Sequence, residues 1–192
     1  MSNTLRTVVL LGILALGGCA SLSRNECAAG DWYGIGQRDG ANGYPEERFA
    51  DHAAACVKHG VTPDRAQWLD GRERGLERFC TARHAFDVGA SNSSYAGVCA
   101  GPAEDDFLHG YRLGKALAEA RGRRDRWDHE IHRLRHLLEE DRQDDKRDQR
   151  DDHPRLSNAE RVEIGFQLGV AMMRRDEADR DVQDINQLSA RL

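Results

Sequence analysis

The feature that most constrains the fold is a pair of mostly apolar series of residues, in which the spacing alternates between four and three residues. The first series comprises Leu113, Leu117, Ala120, Arg124, Trp127, Ile131, Leu134 and Leu138. The second comprises Ile164, Leu168, Ala171, Arg175, Ala178, Val182, Ile185, Ser189 and Leu192. This spacing places each series along one side of an α-helix and is typical of coiled coils. The sequence therefore predicts two long helices packed as an antiparallel hairpin.

The segment between the two series predicts the turn of this hairpin. Residues 139–152 are nearly all charged and are interpreted as a solvated tip or a frayed linker. His153-Pro154 interrupts the pattern, and Ser157-x-x-Glu160 has the form of a capping box that begins the second helix. The register places Arg175 opposite Trp127, which predicts a cation–π contact.

Glycine pairs spaced four residues apart recur along the chain. Three copies carry an aromatic residue three positions earlier: Tyr33-x-x-Gly36-x-x-x-Gly40, Trp68-x-x-Gly71-x-x-x-Gly75 and Phe107-x-x-Gly110-x-x-x-Gly114; a fourth pair, Gly165 and Gly169, lacks it. Glycine costs about 1 kcal/mol relative to alanine inside a helix, so the pairs indicate close packing of helix backbones. The alternative is a ligand-binding surface formed by Trp32, Gly36, Gly40, Trp68, Gly71 and Gly75.

Helix-start signals predict a mainly α fold before the hairpin. Starts are expected at Asp31, at Pro45, at Thr62-Pro63-Asp64 and at Pro102, since proline and side-chain caps favour first turns. A stretch rich in Gly, Ser and Asn, from about residue 81 to 101, is expected to form a loop. The chain is therefore divided into residues 1–18, a small helical domain at 19–114 and a charged hairpin at 115–192.

Residues 1–18 have the pattern of a bacterial lipoprotein signal. One cation, Arg6, precedes an apolar run from Val8 to Leu16, which is too short to span a bilayer. Gly17-Gly18-Cys19 then predicts that Cys19 is lipidated, which implies anchoring in the cell envelope. Because Ala20 and not Asp follows Cys19, the outer membrane is expected, with the protein facing the periplasm.

Four cysteines remain after Cys19, which in an oxidising compartment predicts two disulfides. They are Cys27, Cys56, Cys80 and Cys99, and proximity in sequence favours Cys27–Cys56 and Cys80–Cys99. A four-cysteine zinc site is the alternative, although no two of them have the close spacing of zinc ligands.

The glycine and cysteine pattern resembles a bacterial lipoprotein family known as domain of unknown function 2799. The resembling residues are Gly30-Asp31-Trp32, Asp39-Gly40-x-x-Gly43, Cys56, Gly60-Val61-x-Pro63-Asp64, Gly71-x-x-x-Gly75, Phe79-Cys80-Thr81 and Tyr95-x-Gly97-x-Cys99. They extend from about Cys27 to Gly114. The resemblance implies an envelope lipoprotein with no assigned reaction, so no catalytic residue is transferred from it.

The sequence contains no recognisable catalytic motif. His129, His132 and His136 are weak candidates for a metal site, but the heptad register places them on the solvated side of their helix. Four further histidines, His52, His59, His84 and His109, are interpreted as hydrogen-bonded surface or core residues. Asp31, Asp39 and Asp64 are interpreted as helix caps in preference to paired catalytic carboxylates.

These observations favour a structural or protein-interaction lipoprotein without catalytic activity or cofactor. Removing residues 1–18 removes the cation Arg6 and no acid, so the formal net charge goes from −5 to −6, which argues against nucleic-acid binding. The expected partner is an envelope protein or a second copy of the chain, contacted through the hairpin. A binding module for a cell-wall or small-molecule ligand and a metal-binding protein are the alternatives.

Overall fold

The computed structural model describes residues 21–147 and 156–192, and this part of the chain forms seven α-helices without a β-strand. The helices are α1 (Arg24–Ala29), α2 (Trp32–Ala41), α3 (Arg48–Val57), α4 (Arg65–Phe79), α5 (Ala82–Ala90), α6 (Pro102–Arg147) and α7 (Asn158–Ser189). The mainly α prediction is confirmed. The signal sequence, Cys19 and the His153-Pro154 break lie outside the described residues.

Side-chain caps begin three of these helices, α2, α4 and α7, where the sequence predicts. Asp31 accepts from the amide of Gly34 at 2.9 Å, and Asp64 accepts from that of Gln67 at 3.0 Å. Ser157 and Glu160 form the predicted capping box at α7, and their hydrogen bonds lower the pKa of the Glu160 carboxyl. Pro45 begins a turn three residues before α3, so that predicted start is too early.

The predicted loop at residues 81–101 is wrong over its first half, where α5 forms. Thr81 accepts from the amide of His84 at 3.2 Å and begins the helix. Ala85, Phe86 and Gly89 are buried along one side of α5, which packs against α6. Tertiary packing thus stabilises a helix that composition alone does not indicate.

Helices α2 and α4 cross through two glycine pairs. A Cβ atom on Gly36 would collide with the carbonyl of Trp68, and one on Gly71 with the carbonyl of Tyr33. Gly40 and Gly75 meet the backbone of the opposite helix in the same way. The predicted close packing is confirmed for these pairs, since any side chain at the crossing would force the helices apart.

Helices α5 and α6 repeat this crossing. Gly110 faces the carbonyl of Ala82, Gly114 faces that of Phe86, and Gly89 faces that of Tyr111. Ala85, which is fully buried, occupies the position that a fourth glycine would take. The described part of the protein therefore contains the same glycine-mediated helix pair twice.

Helices α6 and α7 form the predicted antiparallel hairpin. Arg161 near the start of α7 lies 2.7 Å from Asp141 near the end of α6, and Arg123 lies 2.7 Å from Asp181. Two apolar clusters fill the contact between the two helices. The first contains Phe86, Leu117, Ala120 and Val182, and the second contains Ile131, Leu134 and Ala171. Nearly all members of both clusters come from the two predicted series.

One detail of the hairpin differs from expectation. The guanidinium of Arg175 lies 3.7 Å from Asp128 and 3.4 Å from Asp176 and not over the ring of Trp127, because carboxylates flank it on both helices. The division made between residues 114 and 115 lies within α6, which begins at Pro102 as predicted and continues through it. Since Val182 packs with Phe86 of α5, the hairpin is joined to the preceding helices by packing as well as by the chain.

Two disulfides connect the smaller helices. Cys27 of α1 is bonded to Cys56 of α3, and Cys80 at the end of α4 is bonded to Cys99 before α6. This is the pairing that proximity in sequence favours. Each of the four sulfurs is bonded to another sulfur and supplies no thiolate, so the four-cysteine zinc alternative is wrong. None of the described helices is long and apolar enough to span a membrane.

Candidate functional site

The six residues proposed as a ligand-binding surface do not form a surface. Trp68 is fully buried and Trp32 is 5% exposed. The four glycines, Gly36, Gly40, Gly71 and Gly75, are buried at the crossing of α2 and α4. The backbone of each helix occupies the space that a ligand would need, so the ligand-surface prediction is wrong and the packing interpretation accounts for these residues.

Trp68 instead belongs to a buried polar network. Its indole Nε1 donates to Oδ2 of Asp39 at 2.8 Å, and Nε2 of His52 lies 2.7 Å from the same oxygen. Nδ1 of His52 lies 2.9 Å from the hydroxyl of Ser21. The ring of His52 therefore bridges the carboxylate of Asp39 and the hydroxyl of Ser21, one through each nitrogen. The network joins α2, α3 and α4 to the start of the described chain.

Serine, histidine and aspartate in hydrogen-bonded order are also the components of a nucleophilic triad. A triad histidine must pass a proton between the serine and a leaving group. His52 is 1% exposed, which leaves its ring out of reach of a substrate and favours a fixed link over proton transfer. The link holds Ser21, two residues after Cys19, against the helical core.

Asp39 was interpreted from the sequence as a helix cap, and that prediction is wrong. Asp31 and Asp64 cap helices as expected, but Asp39 lies in the last turn of α2 and caps none. A carboxylate near a helix C-terminus is unfavourable in the helix dipole. This unfavourable position indicates that the Asp39 carboxylate is stabilised by other groups, which in the structure are His52 and Trp68.

The three histidines of α6 lie on its exposed side. His129 Nδ1 is 2.7 Å from the carbonyl of Asp125, and His136 is 3.1 Å from Glu140. Within residues 21–147 and 156–192, no group of three or more His, Cys, Asp and Glu side chains is arranged to hold a metal ion.

The side of α7 that faces away from α6 carries apolar residues in the open. Val162 is 73% exposed, Phe166 is 69% exposed and Met173 is 64% exposed. With the exposed Ala159 and Gly169 they continue a spacing of three and four residues, and we call these five residues the outer face of α7. Large apolar side chains aligned at this exposure are typical of a surface that binds a partner.

The outer face was not recognised from the sequence because α7 has two apolar sides. The series from Ile164 to Leu192 accounts for the contact with α6 and includes no member of the outer face. Residues Phe166 and Ile164 are two positions apart, which is about 200° around a helix and hence nearly opposite. The signal in the sequence is a second series with the same spacing of three and four residues, which begins at Ala159 and ends at Met173.

Comparison with known proteins finds a family match for helices α2 to α5 and the first part of α6. Residues 31–116 match the model of a protein family described as "Protein of unknown function (DUF2799)". This confirms the resemblance that the glycine and cysteine pattern indicates, over nearly the same residues. No curated protein and no solved structure matches the chain.

Proposed function

We propose that this chain, whose residues 31–116 belong to the DUF2799 family, is a lipid-anchored bacterial envelope protein that acts by binding another protein chain, without catalysis. The signal-like residues 1–18 and the following Cys19 support the anchor. The two disulfides are consistent with an oxidising compartment. The outer membrane, with the domain in the periplasm, is the proposed location.

The outer face of α7 is the observation that carries the binding role. Transfer of apolar surface out of water stabilises association by about 25 cal/mol per Å². Exposing Val162, Phe166 and Met173 forgoes that stabilisation in the isolated chain. The other side of the same stretch packs against α6 through Ile164, Leu168 and Ala171, so the outer face is not the side that the hairpin uses.

Replacing Cys19 tests the anchor. We expect Cys19→Ser to move the protein from the outer-membrane fraction to the soluble periplasmic fraction, because the acyl chains supply the membrane affinity. Incorporation of labelled palmitate, followed by density-gradient fractionation, measures this. Thiol titration of the variant is the control, since intact disulfides show that it has folded. A Cys19→Ser protein that still incorporates palmitate and still fractionates with the outer membrane would contradict the anchor.

Photo-crosslinking in living cells tests the binding role. A photoreactive amino acid replaces Met173 on the outer face and, in a matched control, Arg133 on the exposed side of α6. We expect one discrete crosslinked species from position 173 and none of comparable yield from position 133. Diffuse products of equal yield at both positions would overturn the binding role, whatever the identity of the partner.

A further inference from the structure

Two glycines on the exposed side of α7 have no explanation within a single chain. A Cβ atom on Gly165 or Gly169 would meet no other atom within 4 Å. The other three glycine pairs each face the backbone of a neighbouring helix. Glycine weakens a helix, so this pair destabilises α7 without any close packing in return. A contact made outside the single chain accounts for Gly169, the member of this pair that lies on the outer face.

The outer face is complementary to itself when two α7 helices run in opposite directions. An axis between Gln167 and Leu168 brings Phe166 opposite Gly169 of the second copy and Val162 opposite Met173. The Phe166 ring then enters the space that the glycine leaves open, and the twofold axis repeats the arrangement. Large residues facing small ones are what close helix packing requires.

The charges beside the outer face agree with this arrangement. Asp176, the next position at the same spacing, faces Ala159 of the second copy and so meets no carboxylate there. A parallel pair would place Asp176 against Asp176 of the second copy, and Gly169 against Gly169 of the second copy. The first contact is repulsive and the second leaves a void. The antiparallel pair avoids both.

We propose that the partner bound by the outer face of α7 is a second copy of this chain, in this antiparallel register. The proposal rests on the binding role proposed above and specifies its partner. Confinement of anchored copies to one membrane raises their effective concentration, so a contact of this modest size is sufficient. The expected product is a symmetric dimer in which the two hairpins meet through α7.

Exchanging the two facing residues within one chain tests the register. A Cβ atom at position 169 meets nothing within 4 Å in the single chain, but Gly169→Phe puts Phe166 against a second ring, and we expect roughly tenfold weaker self-association. Phe166→Gly removes the ring and weakens self-association to a similar extent. The double variant Phe166→Gly/Gly169→Phe again places a ring opposite a glycine, so self-association recovers. Sedimentation equilibrium of the full lipidated chain in detergent gives each Kd.

Gly122→Ala is the matched control, because Gly122 lies on α6 and an added methyl group would meet only the Arg126 side chain, at 3.6 Å. It should leave the Kd unchanged, and thermal melts check that every variant is folded. A double variant as weak as either single variant, or a wild-type chain that stays monomeric at every concentration, overturns the proposal. A discrete crosslink from position 173 to a different polypeptide overturns it as well, while leaving the binding role standing.

Discussion

Gly71→Ala is expected to destabilise the protein by about 3 kcal/mol, because the added methyl group has no space at the crossing of α2 and α4. The Cβ atom would collide with the carbonyl of Tyr33, which belongs to a helix backbone and cannot rotate away. The two helices would have to separate, and Trp68 beside the crossing would lose its packing. Urea unfolding followed by tryptophan fluorescence measures the loss.

Gly165→Ala is the matched control for this prediction. It makes the same chemical change in a helix, but the added methyl group points into open space. We expect an increase in the free energy of unfolding of up to about 1 kcal/mol, from helix propensity alone. Equal effects of the two substitutions would show that glycine does not mediate the α2–α4 contact.

Asp39→Ala should cost about 3 kcal/mol, because it leaves two buried donors without an acceptor. Trp68 Nε1 and His52 Nε2 both donate to the same oxygen of Asp39, and neither side chain reaches water. The loss should appear as a lower urea midpoint with an unchanged slope.

Asp39→Asn separates the hydrogen bonds from the volume of the side chain. Its amide oxygen can accept from both donors, so we expect it to retain most of the stability that Asp39→Ala loses. Ser21→Ala should cost less than either change at Asp39, because Ser21 is only half-buried and makes one of the three hydrogen bonds. If Asp39→Ala were no more damaging than Ser21→Ala, the network would not stabilise the fold.

The helical architecture was predictable because its signals are local. Leu117, Ile131 and Val182 follow a spacing that only a helix aligns, and Asp31 and Ser157 cap within three residues of their own positions. The glycine pairs were predictable as packing residues because glycine has a known cost inside a helix.

The polar network and α5 were not predictable because they depend on contacts between distant parts of the chain. Asp39, His52 and Trp68 lie on three different helices, and no local pattern joins them. The segment 82–90 is short and rich in small residues, so its sequence alone does not indicate a helix. The helix forms because α6 packs over Ala85 and Gly89. The same dependence concealed the burial of the predicted ligand surface, since crossing helices bury what separate helices would expose.

Thiol labelling in native membranes tests most directly whether the outer face of α7 is a protein contact. Val162→Cys should react with a water-soluble maleimide in dilute purified protein and be protected in isolated outer-membrane fragments, whose periplasmic side is open to the reagent. Arg133→Cys, on the exposed side of α6, should react equally in both. Equal labelling of position 162 in membranes and in dilute solution would show that the outer face is uncovered where the protein works, which would contradict the account.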